Sequence, residues 1–371
     1  MVDIPSLIAS PAKIILGKIA KLMLTEIGLI LNRKEGLKRL QRSLLQIQAI
    51  EDDVEERALN QRAWQIWLRD LRDVAYKAED LLDTIAVYQS LRSNNNSQLS
   101  SMPPGIGMLT ELQTLSAFVV SKRSNLQEMR SLHNLRGTLC ILNLENVGDE
   151  QEAKDAVLSD KQYLRRLDFH WSEPKHGESV VQMDILTRLK PHKNLKELYI
   201  RNYVGFKFPI WLGDPSFSKL VEISLQNCPE CDILPPLGKL PALKYLHIAT
   251  TRISYINRSF CGARGATGFP LLETLEFDDM DKLVFWDGVV QGDLPYLRQL
   301  VISSCPKLTA VPMLKYLHRL EQFELKNCPL FPMLPEDVLP TELKSLSVSG
   351  CTQLKNWCHF IAFGKSVVCT S

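Results

Sequence analysis

The sequence predicts two architectures in series: an α-helical bundle at the N-terminus and, after a polar linker, an α/β solenoid of stacked strand-and-loop units. Three observations predict it. One pattern is written three times, by Leu297, Leu300, Ile302 and Cys305, by Leu320, Phe323, Leu325 and Cys328, and by Leu343, Leu346, Val348 and Cys351, each set 23 residues after the last. Before position 89, apolar residues recur instead at three- and four-residue steps, the period of an amphipathic helix. Between the two regions, Ser90 to Ser101 is polar and without periodicity, as a connector is.

The helices can be taken in order. Ser10-Pro11 starts the first, with Ser as cap and Pro at the first helical position. Ile15, Ile19, Leu22, Met23 and Ile27 then lay one apolar stripe that ends near Asn32. Leu37, Leu40, Leu44, Ile47, Val54 and Ala58 mark a second helix. A third, from about Arg62 to Tyr88, turns Trp64, Trp67, Leu68, Leu71, Val74, Leu81 and Ile85 inward. Such helices joined by short turns make a bundle. The third also carries Glu79, Asp80 and Asp83 close together. They read either as a solvated acidic face or as a docking face for a basic surface.

The 23-residue pattern is L-x-x-L-x-L-x-x-C, the signature of a leucine-rich repeat. One unit cannot bury its own apolar face, so units must stack. With Leu relaxed to any large apolar residue, the frame extends back through starts at Leu272, Leu243, Leu220, Leu195, Leu164, Leu139 and Leu112, making about ten repeats. Longer steps imply return-loop insertions at Glu173 to Gln182 and Arg258 to Gly268. The expected domains are a bundle at 1–89, a linker at 90–104, the solenoid at 105–357 and a tail at 358–371. A solenoid needs its ends covered, so the head or linker is expected to cover Leu109, Leu112 and Leu115.

Positions 1, 4 and 6 of each repeat point into the core, leaving 2, 3, 5, 7 and 8 on the concave side. That side then presents Arg165, Arg166, Asp168, His170 and Trp171, then Lys196, Glu197, Tyr199, Arg201 and Asn202, then Lys244, Tyr245 and His247, then Glu273, Glu276, Asp278 and Asp279. It grades from basic and aromatic to acidic. Aromatic residues and Arg dominate binding hot spots. The candidate recognition surface is therefore Arg166, His170, Trp171, Tyr199, Arg201, Tyr245 and His247, with an exposed Trp171 foremost; ordinary surface composition is the competing reading.

Other function classes find less support. Forty-four basic against 42 acidic residues leave a charge of +2, which argues for no nucleic-acid partner. The apolar N-terminus, Ile4 to Leu31, is interrupted by Lys13, Lys18, Lys21 and Glu26, short of the ~18 apolar residues of a membrane span, and no small-residue cleavage site follows it. No integral membrane segment is expected. Nine cysteines, mostly at repeat positions, read as free thiols of a reducing compartment. Cys228 and Cys231 form a C-x-x-C with no second pair, so packing outweighs zinc, and no metal is expected. No nucleophile, base and orienter share a spacing, so no catalytic residues and no enzyme are expected.

Ile47 to Asp52 and Trp67 to Asp83, the latter reading W-L-R-D-L-R-D-V-A-Y-K-A-E-D-L-L-D, resemble the Rx-type coiled-coil head of plant coiled-coil nucleotide-binding leucine-rich-repeat (CC-NB-LRR) disease resistance proteins. Leu135-Arg136-Gly137, Phe208 to Gly213 and Leu234 to Pro241 resemble their later repeats. The family's acidic coiled-coil motif then falls on Glu79-Asp80-Leu81-Leu82-Asp83, which the resemblance implies would contact the receptor's own repeats or switch. In the family an ATPase switch (NB-ARC) separates head and repeats. Here about fifteen residues stand in its place, and the only trace of a phosphate loop, Gly364-Lys365-Ser366, has His359 where the first glycine is required. No ATP or ADP is expected to bind. The resemblance implies a plant innate-immunity protein of the cytoplasm or the plasma-membrane periphery. Its repeats would recognise a pathogen effector or host guardee, and its head would make signalling contacts. The alternatives are a regulatory or decoy fragment that binds other immune receptors and an incomplete gene product without a role of its own.

Overall fold

The computed structural model describes residues 101–103, 105–172, 179–262, 267–311, 314, 316–332, 340–354 and 366–370. The expected helical bundle, with Glu79, Asp80 and Asp83, lies outside the described residues. The chain divides into two units, Met1–Leu99 and Ser100–Ser371.

In the second unit the strands are β1 (Ala117–Val119), β2 (Arg136–Leu142), β3 (Tyr163–His170), β4 (Glu197–Arg201), β5 (Glu222–Cys228), β6 (Tyr245–Thr251), β7 (Tyr255–Ile256), β8 (Thr274–Asp278), β9 (Phe285–Trp286), β10 (Gln299–Ser303), β11 (Gln322–Lys326), β12 (Ser345–Ser349) and β13 (Ser366–Thr370). All but β7 and β9, which pair with each other, form one sheet in chain order. Every pairing is parallel, and the register puts like positions side by side: Leu275, Leu300, Phe323 and Leu346 in one row, Phe277, Ile302, Leu325 and Val348 in the next. Both rows are buried. Each such side chain contributes about 1.5–3 kcal/mol of burial, and it does so only against its neighbours in the stack.

A second ladder runs along the sheet's end. Asn143, Asn202, Asn227, Thr250, Asp279, Ser304, Asn327 and Gly350 occupy position 8 of eight repeats with φ between 50° and 66°. Asn, Asp and Gly tolerate this left-handed backbone better than other residues. The reversal turns the next side chain inward, so Leu144, Tyr203, Cys228, Thr251, Met280, Cys305, Cys328 and Cys351 are all buried. The thiols of Cys305, Cys328 and Cys351 donate to the carbonyl two residues back, at 3.3, 3.2 and 3.4 Å. Cys228 does the same at 3.6 Å, and Cys231, also buried, donates to Gly205 O at 3.1 Å. Burial pushes the Cys228 thiol up to about 12, which favours the neutral thiol as a donor in this turn.

Three features differ from the sequence frame. Leu139 is not a repeat start: it pairs with Leu167 and Ile141 pairs with Phe169, so it holds position 4. The register shifts at Gly137/Thr138, where Arg165 of β3 is passed over, and Leu139, Leu142 and Leu144 mimic the pattern by chance. Likewise Phe118, opposite Ile141, holds the inward position that a start at Leu112 assigns to Ala117. Third, the sheet does not stop at β12, because Ser366–Thr370 of the expected tail pairs with Ser345–Ser349. At the other end, Met102 and Ile106 from the linker border are buried, while Leu109 is 57% exposed and Leu112 and Leu115 are half-buried.

The return loops carry short helices: α1 (Glu150–Asp155), α2 (Ser179–Arg188) and α3 (Arg258–Cys261). The first expected insertion thus runs into a helix whose Gln182 is buried. The second begins as a helical turn that buries Phe260 and Cys261. It is held by the buried Asp293, which accepts from Gly268 N at 2.7 Å and Val290 N at 2.9 Å and pairs with Arg258.

Candidate functional site

The side chains at positions 3, 5 and 7 of β3 to β6 stand on the sheet face away from the core, the concave side of the sequence analysis. They form one polar network across four strands. Asp168, Tyr199, Ser224, His247 and Glu276 share one row of the register. In the next row, His170 lies beside Arg201 and Arg201 beside Gln226. Arg201 Nε is 3.3 Å from Asp168 and its Nη1 donates to Gln226 Oε1 at 2.7 Å. Gln226 Nε2 donates to Ser224 Oγ at 3.0 Å and lies 3.1 Å from His247 Nδ1. Arg166 lies over the Tyr199 ring at 3.9 Å and pairs with Glu197 at 3.4 Å, while the Tyr199 hydroxyl bonds to Glu222.

Electrostatics follow from this packing. Asp168 is 1% exposed, and burial pushes its carboxyl up to about 7 against the opposing pull of Arg201. Arg201, with Nε 3.3 Å from Asp168 Oδ2, is the cation that opposes this shift. His170, which accepts from Asn202 Nδ2 at 3.3 Å, is held down to about 4 by burial and then by Arg201. His247 is lowered by burial, with Glu276 acting against it. Burial also raises the Tyr199 phenol. The network therefore favours uncharged imidazoles beside two guanidinium groups.

Of the seven expected residues, the structure brings Arg166, His170, Tyr199, Arg201 and His247 into this network. Tyr199 is covered by Arg166 and is only 7% exposed. Tyr245, 43% exposed, stands beside Glu222 in register and is the most open aromatic of the set. Trp171 is a correction: it is fully buried. It occupies position 8, yet it lacks the left-handed φ that its counterparts adopt, so its own side chain turns inward. There its indole N–H donates to Gln182 Oε1 at 2.7 Å, and its ring lies 5.0 Å from that of Tyr203. Sequence reasoning missed Glu222, Ser224 and Gln226, although the same position rule applied to the repeat at Leu220 selects all three. Beyond β6 the face turns acidic, with Glu276 beside His247 in register, Asp278 accepting from Ser303 Oγ at 2.7 Å, and Asp279 accepting from Thr250 Oγ1 at 3.0 Å. Among the described residues no cluster of three or more His, Cys, Asp or Glu could hold a metal ion, and no helix is long and apolar enough to cross a membrane.

Two family models match the chain, the Rx N-terminal domain over residues 12–116 and the R13L1/DRL21 leucine-rich repeats over residues 126–251. The chain therefore combines an Rx N-terminal domain with leucine-rich repeats of the R13L1/DRL21 family. It is 35% identical over 278 residues to disease resistance RPP13-like protein 1 of Arabidopsis thaliana, covering 68% of this chain and 26% of that one. Against disease resistance protein RGA2 of Solanum bulbocastanum it is 33% identical over 265 residues, covering 67% and 26%. The chain thus spans about a quarter of the length of these curated relatives. The two family matches stand nine residues apart, with no further module between them. The first match runs past Met102 and Ile106, which the structure packs into the repeat unit. Among solved structures, the leucine-rich-repeat domain of the type III effector XopL aligns over all of this chain and 98% of its own at 13% identity and a TM-score of 0.39. A leucine-rich-repeat protein of Leptospira interrogans aligns over 72% of this chain and 74% of its own at 18% identity and a TM-score of 0.36.

Proposed function

We propose that the solenoid of this chain recognises a protein, a pathogen effector or a host guardee, on the sheet face of β3 to β6. The N-terminal head would make signalling contacts through Glu79, Asp80 and Asp83. The supporting observation is the cross-strand network of Arg166, Tyr199, Arg201, Gln226 and His247 beside the open Tyr245. Side chains locked by their neighbours lose little entropy on binding, and a rigid aromatic and Arg patch is hot-spot chemistry. No nucleotide takes part, and the chain works in the cytoplasm or at the plasma-membrane periphery. The test is crosslinking mass spectrometry on the full chain expressed in challenged leaf tissue, with Tyr245→Ala and Arg201→Ala as comparisons. A protein captured through β3–β6 by the wild type and lost with both variants supports the reading; equal capture by all three refutes it.

A second reading has its own support. With head and repeat matches only nine residues apart, the chain would lack the switch that gates its relatives and would act in trans, binding full-length receptors. Co-precipitation of a full-length receptor by the wild-type chain, lost on replacing Glu79, Asp80 and Asp83 by Ala, is the result expected of that reading.

A further inference from the structure

A groove in the return loops shares no residue with the sheet face. It is formed where the loop after β4, Phe208–Gly213, stacks on the loop after β5, Leu234–Lys239. The stacking is close: a Cβ on Gly213 would stand 2.6 Å from Pro236 Cγ, and one on Gly238 would stand 2.2 Å from Cys261 O. Loops held this tightly, with Pro209, Pro235 and Pro236 fixing their backbone, make a preformed depression rather than a loose one. Its volume is about 420 Å³, within the range of ligand pockets. A second depression of about 370 Å³ adjoins it and shares Ile210, Pro236 and Lys239.

The lining has an unusual exposure. Ile210 is 92% exposed on the shared ridge, and Ile233 is 52% exposed on the wall of the larger depression. A single exposed aliphatic residue needs no explanation; two beside an apolar floor of Phe208, Leu234 and prolines form a continuous apolar surface. The charge is mainly basic. Lys207 and Lys239 line the larger depression and Lys190 and Lys239 the smaller. The carboxylate among the described lining residues, Asp214, is already engaged by Ser216 N at 2.9 Å and Lys190 at 3.1 Å.

We propose that this groove binds a short acidic and aliphatic segment of a partner protein. One large apolar side chain would enter each depression, on either side of Ile210, and flanking carboxylates would reach Lys207 and Lys239. Apolar burial against Ile210 supplies affinity, and the lysines select acidic over basic segments by charge complementarity. The site is independent of the sheet face and stands whether or not that face binds a protein.

The test is fluorescence polarisation with the full chain and three labelled peptides: one with a pair of leucines flanked by Asp and Glu, one with those acids replaced by Lys, and one with the leucines replaced by Ser. The acidic leucine peptide is expected to bind about tenfold or more tighter than either control, more weakly as salt rises. Ile210→Asp and the double variant Lys207→Glu/Lys239→Glu should each weaken it by about tenfold, while Tyr245→Ala leaves it unchanged. Ile210 is almost wholly exposed, and circular dichroism checks that each variant folds; should Ile210→Asp not fold, the lysine pair decides. No binding by the wild type, equal binding of the Ser or Lys peptide, or indifference to the substitutions overturns the proposal. So does sedimentation showing that Ile210→Asp abolishes a self-association of the chain, since a second copy would then be the occupant.

Discussion

If Trp171 is a core residue held by Gln182, the two must be energetically coupled. Trp171→Ala empties a site with no solvent exposure and should cost ~3–5 kcal/mol. Trp171→Phe keeps an aromatic ring near Tyr203 but leaves Gln182 Oε1, now bonded at 2.7 Å, buried without a donor, at ~1–3 kcal/mol. Gln182→Leu leaves the indole N–H unpaired at a similar cost. The double variant Trp171→Phe/Gln182→Leu removes both polar partners, so it should be more stable than the sum of the singles predicts by ~1–3 kcal/mol. The assay is urea denaturation followed by far-UV circular dichroism, which does not depend on the fluorophore being removed. Each kcal/mol should also lower the thermal midpoint by ~2–4 °C. Additive single and double variants would refute the coupling, and a Trp171→Ala variant as stable as wild type would return Trp171 to the surface.

Other consequences follow from the same network and ladder. Asp168, with its carboxyl raised to about 7, favours the neutral form in the fold, so its contribution is full below about 4 and is lost as pH rises to about 7. His170, lowered to about 4 from 6.5, contributes above about 6.5 and loses that contribution as pH falls toward 4. The two slopes oppose each other between about 4 and 6.5, at up to ~1.4 kcal/mol per pH unit each. Asp168→Asn should therefore steepen the loss of stability on acidification and stabilise the fold above pH ~7, whereas His170→Gln should make stability fall as pH rises; a pH series of urea midpoints shows either slope, and parallel curves for all three proteins would count against it. At the left-handed ladder, Asn327→Gly should change stability by a few tenths of a kcal/mol and Asn327→Val should cost ~1–2 kcal/mol, read from thermal midpoints; equal midpoints would remove the strain. Gly238→Ala puts a methyl group 2.2 Å from Cys261 O, so soluble yield and thermal midpoint should both drop, and an unchanged midpoint would show that the loops can move apart.

Much of the solenoid is legible in the sequence because its apolar rows are periodic. Leu300, Phe323 and Leu346 are 23 residues apart in the chain and side by side in the sheet. Period is a local property, and it fails where chance spacings imitate it. Leu139, Leu142 and Leu144 reproduce the 1, 4 and 6 spacing, whereas the register gives Leu139 position 4. The strand Ser366–Thr370 is missed for a different reason: its residues in register with Leu346 and Val348 are Val367 and Cys369, with no leucine to announce the frame.

The candidate site was legible as a set of positions but not as a set of exposures. A position rule says which face of the sheet a side chain leaves from; it does not say what lies over it. Tyr199 leaves from the outer face and is then covered by Arg166, which is itself drawn across by Glu197. Asp168 leaves from the same face and disappears between Arg201 and its neighbours. Charged residues on successive strands close over one another because opposite charges sit in adjacent rows about one strand spacing apart, ~4.8 Å. Trp171 shows the converse limit. Position 8 faces outward only if the backbone takes the left-handed turn, and the β-region or helical backbone that a Trp prefers removes the turn and sends the ring into the core. Reading position 8 for Asn, Asp, Ser, Thr or Gly before assigning its direction separates Asn143, Asn202 and Asn227 from Trp171. By that rule the repeat that starts at Leu164 is the irregular one, and it is also where β3 opens the polar network.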